Sequence, residues 1–332
     1  MYFVQRIGQH LGVLMKLRIA VPALALVMLA GSACSVLGGP TSGSGGGSTP
    51  NYPIGTSLEG FASELTGPTS MPPGMNDWSC KPSSAHPYPV ILVHGTFANE
   101  ALSWQALSPM LADAGYCVYG LNYGENSMTL GHFFGLASVE SSAQQLSDFV
   151  NKVLQSTGAS KVDMVGHSQG GMMPRYYIKN LGGASKVNML VGIAPSNHGS
   201  TADGLTSVLQ FFQQFGFSLS DVGCDACTEQ EQGSTFLQNL NSGGDTVSGP
   251  KYVVIESKYD EVITPYTNAF LSGPNVQNIT LQNQCSTDYS EHISIIYDPV
   301  VLQDVMNALG ADSSSFQPKC SVVLPLVGGV TG

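Results

Sequence analysis

The stretch Val165-Gly-His-Ser-Gln-Gly-Gly171 decides the fold of this chain. It follows a β-branched run at residues 162–165, and a helix can begin directly after Ser168. A Gly-x-Ser-x-Gly turn between a strand and a helix is a nucleophile elbow, whose strained backbone projects the serine Oγ above the end of the strand. Glycines flank the serine because side chains there would collide where strand and helix cross. The sequence therefore predicts Ser168 as a nucleophile.

Continuous apolar segments recur on both sides of the elbow, at residues 89–93, 117–121, 189–194 and 252–255. Such runs are typical of strands buried on both faces of a parallel sheet. Helical patterns separate them. One amphipathic stripe runs from Val139 to Val153, and Ser141-x-x-Gln144 within it resembles a capping box. This alternation predicts an α/β fold, with a mostly parallel central sheet, flanking helices and the ligand crevice at the carboxyl ends of the strands.

Composition and charge argue against a disordered chain and against a nucleic-acid-binding protein. The chain has 332 residues, of which 42% are hydrophobic and only 11% charged, with a net charge of -11. Binding to nucleic acid needs clustered basic residues, so we expect no nucleic-acid partner. The chain is long enough to bury one large core or two modest ones.

The N-terminus predicts export. Arg6, Lys16 and Arg18 precede an apolar run at residues 19–30, and small residues follow before Cys34. This is the pattern of a cleavable signal at residues 1–33, and the run is short for a transmembrane helix. Cys34 stands where a bacterial lipoprotein is lipidated, although Gly31 departs from that pattern. Lipid anchoring through Cys34 and simple secretion both stay open, and residues 34–51, rich in Gly and Ser, are expected to form a flexible linker.

The other six cysteines are able to pair in an oxidising compartment. Proximity in the sequence suggests three disulfides, Cys80–Cys117, Cys224–Cys227 and Cys285–Cys320, among fifteen possible connectivities. Cys224-x-x-Cys227 could instead indicate a metal or redox site. We favour a structural loop because no second Cys-x-x-Cys or nearby histidine accompanies it, and we predict no metal site.

Ser168 needs a histidine as its base, and an acid to orient that histidine. Only His198 and His292 follow Ser168 in the chain. In hydrolases with this elbow the order is serine, acid, histidine, and no acidic residue lies between Ser168 and His198. His292 is therefore the predicted base.

Asp260 is the predicted acid because it lies on the loop directly after the strand at residues 252–255. Glu261 is its main rival. Glu256 lies nearer the strand, and Asp288, four residues before His292, could be a local partner of that histidine.

The developing oxyanion needs hydrogen-bond donors. The backbone N–H of Gln169 begins the helix after the elbow and can supply one. The loop His94-Gly-Thr96 after the first strand can supply the other, from the N–H of Thr96 or alternatively that of Phe97.

The segment at residues 205–219 is apolar and nearly uncharged. It reads either as a helix packed on the core or as a cap over an acyl-binding pocket, and we favour the cap. Its candidate pocket residues are Leu205, Leu209, Phe212 and Phe215.

With these residues in place, the chain resembles the α/β-hydrolase superfamily, and specifically the bacterial secreted class 2 lipases. The resemblance spans about residues 52–310 and rests on four motifs, Pro89-Val-Ile-Leu-Val-His-Gly-Thr96, Asp163-Met-Val-Gly-His-Ser-Gln-Gly-Gly-Met-Met-Pro-Arg175, Tyr259-Asp-Glu-Val-Ile-Thr-Pro265 and Asp288-x-x-x-His292 with Asp298-Pro299. It implies a triad of Ser168, Asp260 and His292, hydrolysis of lipid or other carboxylic esters, and no cofactor.

We therefore expect a secreted or surface-anchored ester hydrolase, most simply a triacylglycerol lipase, that meets its lipid ester at an interface and is monomeric. The catalytic domain is expected at residues 52–320, with a cap at about 202–235 and a tail at 321–332. A polyester- or cutin-degrading esterase and a cell-envelope acyltransferase would use the same triad. A non-catalytic lipid-binding lipoprotein is the remaining alternative.

Overall fold

The computed structural model describes residues 70–129, 131–214, 223–310, 313, 315–325 and 328–329. The predicted export signal, Cys34 and the linker lie outside these residues. Six of the described strands form one sheet, namely β1 (Val90–Val93), β2 (Val118–Leu121), β3 (Val162–His167), β4 (Val187–Ile193), β5 (Lys251–Glu256) and β6 (Val276–Thr280). Their spatial order is β2-β1-β3-β4-β5-β6, and every neighbouring pair is parallel. The predicted parallel α/β sheet is confirmed.

Helices cover both faces of this sheet. The described α-helices are α1 (Glu100–Ser103), α2 (Leu107–Asp113), α3 (Val139–Thr157), α4 (Gln169–Asn180), α5 (Ala202–Gln214), α6 (Asp225–Glu229), α7 (Thr235–Asn241), α8 (Leu281–Gln284) and α9 (Pro299–Leu309). Residues of α3 and α4 belong to one buried cluster, and residues of α2 and α9 to the other. Strand β1 contributes Ile91 and Val93 to the first cluster and Val90 and Leu92 to the second, because alternate side chains of a strand point to opposite faces. The core is therefore two apolar layers separated by the sheet.

Helix α3 begins at Val139, the first residue of the predicted amphipathic stripe. Its N-cap is Ser138, whose side chain accepts a hydrogen bond from the N–H of Ser141. Ser141 is therefore the third residue of the first turn, and the predicted capping box with Gln144 is wrong. The helix ends at Gly158, whose φ of 75° is in the left-handed region that glycine adopts without strain.

Strand β6 has no counterpart among the predicted strands. It is polar and lies at the edge of the sheet, beyond β5. The Asn278 amide bonds both backbone groups of Leu271, accepting from its N–H at 3.2 Å and donating to its carbonyl at 2.8 Å. Val276 and Ile279 of this strand are only partly buried and the residues between them are exposed, so hydrophobic periodicity does not reveal it.

The C-terminal segment packs beside the loop that precedes His292. Strands β7 (Val323–Leu324) and β8 (Gly328–Gly329) form a small antiparallel pair. Val323 is fully buried, and its carbonyl accepts the N–H of Tyr289 at 3.0 Å. This contact supports the loop that leads to His292.

Three disulfides join Cys80 to Cys117, Cys224 to Cys227 and Cys285 to Cys320, which are the pairs expected from proximity in the sequence. Within the described ranges, no helix is long and apolar enough to cross a membrane.

Candidate active site

Ser168 lies between the end of β3 and the start of α4, with φ 55° and ψ −123°. This backbone conformation is strained for a residue with a side chain, and it persists only where the surroundings enforce it. Two glycines allow it. A Cβ on Gly166 would lie 1.8 Å from the carbonyl oxygen of Gly170, and one on Gly170 would lie 2.1 Å from the carbonyl oxygen of Val93. Helix α4 therefore approaches β3 at Gly166, and the end of β1 at Gly170, too closely for any other residue at these two positions.

Asp260 and His292 lie against each other below the surface. His292 Nδ1–H donates to Asp260 Oδ2 at 2.7 Å, and the two residues are 2% and 6% exposed respectively. Asp260 Oδ1 accepts the N–H groups of Val262 at 2.8 Å and Ile263 at 2.6 Å. These bonds fix the carboxylate plane, and the carboxylate in turn fixes the orientation of the imidazole.

Burial opposes the positive charge of His292, yet the pKa of the imidazole is raised. The negative charge and hydrogen bond of Asp260, together with Glu261 and Glu291, outweigh the cost of burial. These negative charges would therefore stabilise an imidazolium formed at His292 during a reaction.

The rival acids make other contacts. Glu261 Oε2 lies 3.5 Å from the backbone N of His292 and has no hydrogen bond to the ring. Asp288 accepts both the N–H and the hydroxyl of Ser290. Glu256 is fully buried, and burial raises the pKa of its carboxyl well above the ordinary value, with the negative charge of Asp260 as the second cause. Of the four candidates, Asp260 is the one that the structure places on the imidazole.

His198 belongs to a different cluster. Its Nε2 lies 3.2 Å from Asp245 Oδ1, and its Nδ1 lies 3.1 Å from the carbonyl oxygen of Asn268. Both ring nitrogens have partners there, so His198 ties two loops together.

Ser168 and His292 line one cavity of about 270 Å³. Most of its remaining wall is apolar, and comes from the loop after β1, from α5, from the loop after Asp260 and from the segment after His292. Those apolar lining residues are Phe97, Ala98, Ala202, Leu205, Val262, Ile263, Ile293 and Ile296.

The segment predicted to be a cap contains α5, so it is helical. Leu205 lines the cavity. Leu209 and Phe212 lie on α5, but their side chains are outside the described part of the structure, and Phe215 lies outside it entirely. The contribution of these three residues to the pocket stays a prediction.

The two candidate oxyanion residues lie together. A Cβ on Gly95 would be 3.1 Å from Ser168 Cβ, so the loop that carries Thr96 touches the elbow. The Thr96 hydroxyl donates to Gln169 Oε1 at 3.2 Å. Gln169 is the first residue of α4, where backbone N–H groups have no partner within the helix and the helix dipole favours negative charge. The alternative, Phe97, lines the cavity and has a positive φ of 56°.

Two further residues in this region, His167 and Gln230, make hydrogen bonds that the sequence did not predict. His167 Nε2 lies 2.8 Å from the carbonyl oxygen of His292, and burial lowers the pKa of His167 well below its ordinary value. A neutral His167 can donate this hydrogen bond and so hold the backbone of His292. Gln230 donates to Thr96 Oγ1 at 2.9 Å. No sequence pattern marks Gln230, whereas the position of His167 beside Ser168 favours a loop-stabilising residue over a catalyst.

Within the ranges described, no group of three or more histidine, cysteine or acidic side chains is arranged to hold a metal ion.

The chain is similar over 94 residues to triacylglycerol lipases of Pseudarthrobacter phenanthrenivorans and Burkholderia plantarii, with 39% identity to each. The match covers 27% of this chain, and 27% and 24% of those proteins, so it spans about a quarter of the length of these curated relatives.

The fold resembles two solved structures. Aspergillus fumigatus lipase B matches with a TM-score of 0.55 and 21% identity over 72% of this chain and 56% of that one. Bacillus licheniformis lipase BlEst2 in mature form matches with a TM-score of 0.50 and 17% identity over 69% of this chain and 94% of that one. The predicted α/β-hydrolase fold is confirmed.

The sequence profile of one family, described as lipase (class 2), matches residues 87–305. This range exceeds half of the chain and includes β1, the elbow, Asp260 and His292. The resemblance found in the sequence motifs is thereby confirmed, and the chain belongs to the class 2 lipase family.

Proposed function

We propose that this protein is a serine hydrolase of lipid esters, with Ser168 as nucleophile, His292 as base and Asp260 as acid. The observation that carries the proposal is the 2.7 Å bond between His292 Nδ1 and Asp260 Oδ2 in buried surroundings. It leaves Nε2 of the same imidazole for Ser168, which lines the same cavity. Membership of a lipase family supports the reaction class.

Acylation begins when Ser168 Oγ attacks the ester carbonyl while its proton passes to His292 Nε2. Asp260 stabilises the imidazolium and keeps its Nδ1–H directed away from the serine. The carbonyl oxygen becomes an oxyanion, and the N–H groups of Thr96 and Gln169 are the donors that we assign to it. When the intermediate collapses, the C–O bond to the alcohol breaks and His292 returns its proton to the departing oxygen.

Deacylation repeats these steps with water. His292 takes a proton from a water molecule, and the resulting hydroxide equivalent attacks the acyl-enzyme carbonyl. Collapse of the second intermediate releases the carboxylic acid and returns the proton to Ser168. No cofactor is needed at any step.

The apolar cavity supports an acyl chain as the group that it binds. Burying each methylene of such a chain contributes roughly 0.8 kcal/mol, so a wall built from Leu205, Val262 and Ile296 favours acyl groups longer than acetyl. On this basis we place triacylglycerols and related lipid esters ahead of small soluble esters, and we assign residues 202–235 as the cap of a domain at residues 52–320.

The functional test is a chain-length series of p-nitrophenyl esters together with emulsified triglycerides, with Ser168→Ala as the control. We expect activity on medium or long acyl chains and its loss in the Ser168→Ala variant. Full activity of that variant would refute the mechanism. A sharp optimum on soluble acetyl esters would refute the lipase assignment and favour an esterase, and acyl transfer in preference to hydrolysis would favour an acyltransferase.

We also propose export, through a signal at residues 1–33, followed by lipid anchoring at Cys34 or secretion with the linker at residues 34–51. Three disulfides are compatible with an oxidising compartment. Cell fractionation of the parent protein and of a Cys34→Ala variant separates the two routes. If Cys34 is lipidated, the parent should be found in the membrane fraction and the variant in the medium. If the protein is simply secreted, both should be found in the medium.

A further inference from the structure

Gln230 lies at the C-terminal end of α6, is 3% exposed, and lines the cavity. We propose that Gln230 is a positioning residue, which holds the Thr96 hydroxyl so that the loop after β1 keeps its N–H directed at the oxyanion. The proposal rests on the proposed function, because it assigns a role to Gln230 through the oxyanion donor at Thr96. It concerns a residue that never needs to touch the reacting atoms.

The contacts define which way the Gln230 amide faces. Its Nε2 lies 3.0 Å from the carbonyl oxygen of Ala226, a group that can only accept a hydrogen bond. The nitrogen therefore belongs on this side, and its second N–H donates to Thr96 Oγ1 at 2.9 Å. On the other side, Oε1 accepts the hydroxyl of Ser196 at 2.8 Å. Every polar atom of the amide is thus used, and the amide is held in one orientation.

This orientation determines where the Thr96 hydroxyl proton points. Because Thr96 Oγ1 accepts from Gln230, its single proton is free for the bond to Gln169 Oε1 at 3.2 Å. A chain of hydrogen bonds thus runs from Ser196 through Gln230 and Thr96 to Gln169. It links the two residues whose backbone N–H groups we assign to the oxyanion, and it anchors both to the loop after β4.

The loop that Gln230 supports is strained. Phe97, the residue after Thr96, has φ 56°, which is unfavourable for a bulky side chain. The opposite wall gives little room, since a Cβ on Gly135 would lie 2.9 Å from the carbonyl oxygen of Gly95 and 3.1 Å from Thr96 Cα. A strained loop keeps its shape only while its surroundings enforce it. Gln230 supplies such a restraint one residue before the strained position.

A substitution that keeps both N–H donors but lets them shift should lower kcat by a larger factor than it raises KM. Loss of a whole oxyanion donor costs about 10²–10³-fold in kcat, and a displacement near 1 Å can cost about 10²-fold. For Gln230→Leu we therefore expect kcat to fall about 10–100-fold, with KM changed less than about threefold. Affinity for a medium-chain alkylboronic acid, which forms an anionic adduct on serine, should fall by a similar factor.

The decisive test is a double-mutant cycle with Thr96→Val, which removes the hydroxyl and keeps the shape. If Gln230 acts through that hydroxyl, the double variant should lie within about threefold of Thr96→Val alone. Losses that multiply would overturn the proposal, because Gln230 would then act by an independent route. Thr96→Ser retains the hydroxyl and should keep most of the activity. Gln238→Leu is the matched control, since that exposed side chain on α7 bonds only the carbonyl of Gly233 among the described contacts.

Two further results separate this proposal from the proposed function. If Ser168→Ala keeps full activity, the serine mechanism fails whatever Gln230 does. If Ser168→Ala is inactive while Gln230→Leu and Thr96→Val retain the parental kcat, only the role of Gln230 is overturned. Should Gln230→Leu fail to fold, the comparison of Thr96→Val with Thr96→Ser still decides, because equal activity of these two variants contradicts the proposal.

Discussion

Replacement of Asp260 by asparagine should silence the enzyme by setting the wrong tautomer of His292. In the parent protein Asp260 Oδ1 accepts two backbone N–H groups, from Val262 and Ile263, while Oδ2 accepts His292 Nδ1–H. An asparagine must keep its oxygen toward the two N–H donors, because an amide NH₂ cannot accept. Its nitrogen then faces His292 Nδ1, which becomes the acceptor, so the imidazole proton moves to Nε2.

This tautomer cannot act as base, because the nitrogen that should receive the Ser168 proton already carries one. Asp260→Asn also removes the charge that stabilises the imidazolium. A triad acid changed in this way elsewhere lowers kcat about 10⁴-fold, and we expect the same order here. At 1.36 kcal/mol for each factor of ten, the barrier rises by about 5 kcal/mol.

The assay is the hydrolysis of p-nitrophenyl butyrate under saturating conditions, with thermal unfolding to show that the variant is folded. Glu261→Gln is the matched control, since Glu261 is the neighbouring acid without a bond to the ring, and its kcat should stay within about tenfold of the parent. The reasoning is refuted if Asp260→Asn keeps more than a tenth of kcat while Glu261→Gln loses about 10⁴-fold, because Glu261 would then be the acid.

Three further outcomes follow from the same structure. The proposed base must be neutral in the free enzyme, so kcat/KM should fall as the pH drops through the raised pKa of His292. Glu261→Gln removes a negative charge that raises this pKa, so the acidic fall of its pH profile should move to lower pH. A fall at the same pH in both profiles would contradict this. Gly166→Ala should prevent soluble expression, because its Cβ would lie 1.8 Å from a backbone oxygen. Gly158 has φ 75° and no atom within 4 Å of its Cβ position, so Gly158→Ala should lower the free energy of unfolding in urea by only about 1–2 kcal/mol. Equal yields of the two variants would contradict the close crossing at Gly166. Burial raises the pKa of Glu100 from 4.5 to about 7, so the native state holds this proton more tightly than the unfolded state and loses stability as the pH rises through that interval. Glu100→Gln should therefore stabilise the protein by about 2–3 kcal/mol at pH 8 and by less at pH 5, and an equal effect at both would show that ionisation is not the cause.

Local sequence patterns were sufficient to predict the elbow, the buried strands and the candidate base. The Gly-x-Ser-x-Gly spacing predicts the elbow because the constraint is local, with two glycines that admit a close crossing and a serine held between them. The buried strands were predicted for a similar reason, since a strand buried on both faces must be apolar at consecutive positions. The scarcity of histidines after Ser168 reduced the candidate bases to two, and chain order left His292.

Only the tertiary structure decided what surrounds these residues. The edge strand β6 is held by backbone pairing and an asparagine amide, neither of which leaves a hydrophobic period. The bond from His167 to His292 joins residues 125 apart in the chain, and that from Gln230 to Thr96 joins residues 134 apart. A hydrogen bond forms between atoms about 3 Å apart with suitable angles, and folding of distant loops sets that distance. The sequence alone determined which residue is the nucleophile candidate, whereas the contacts that hold the His292 imidazole and the loop of Thr96 in place required the folded chain.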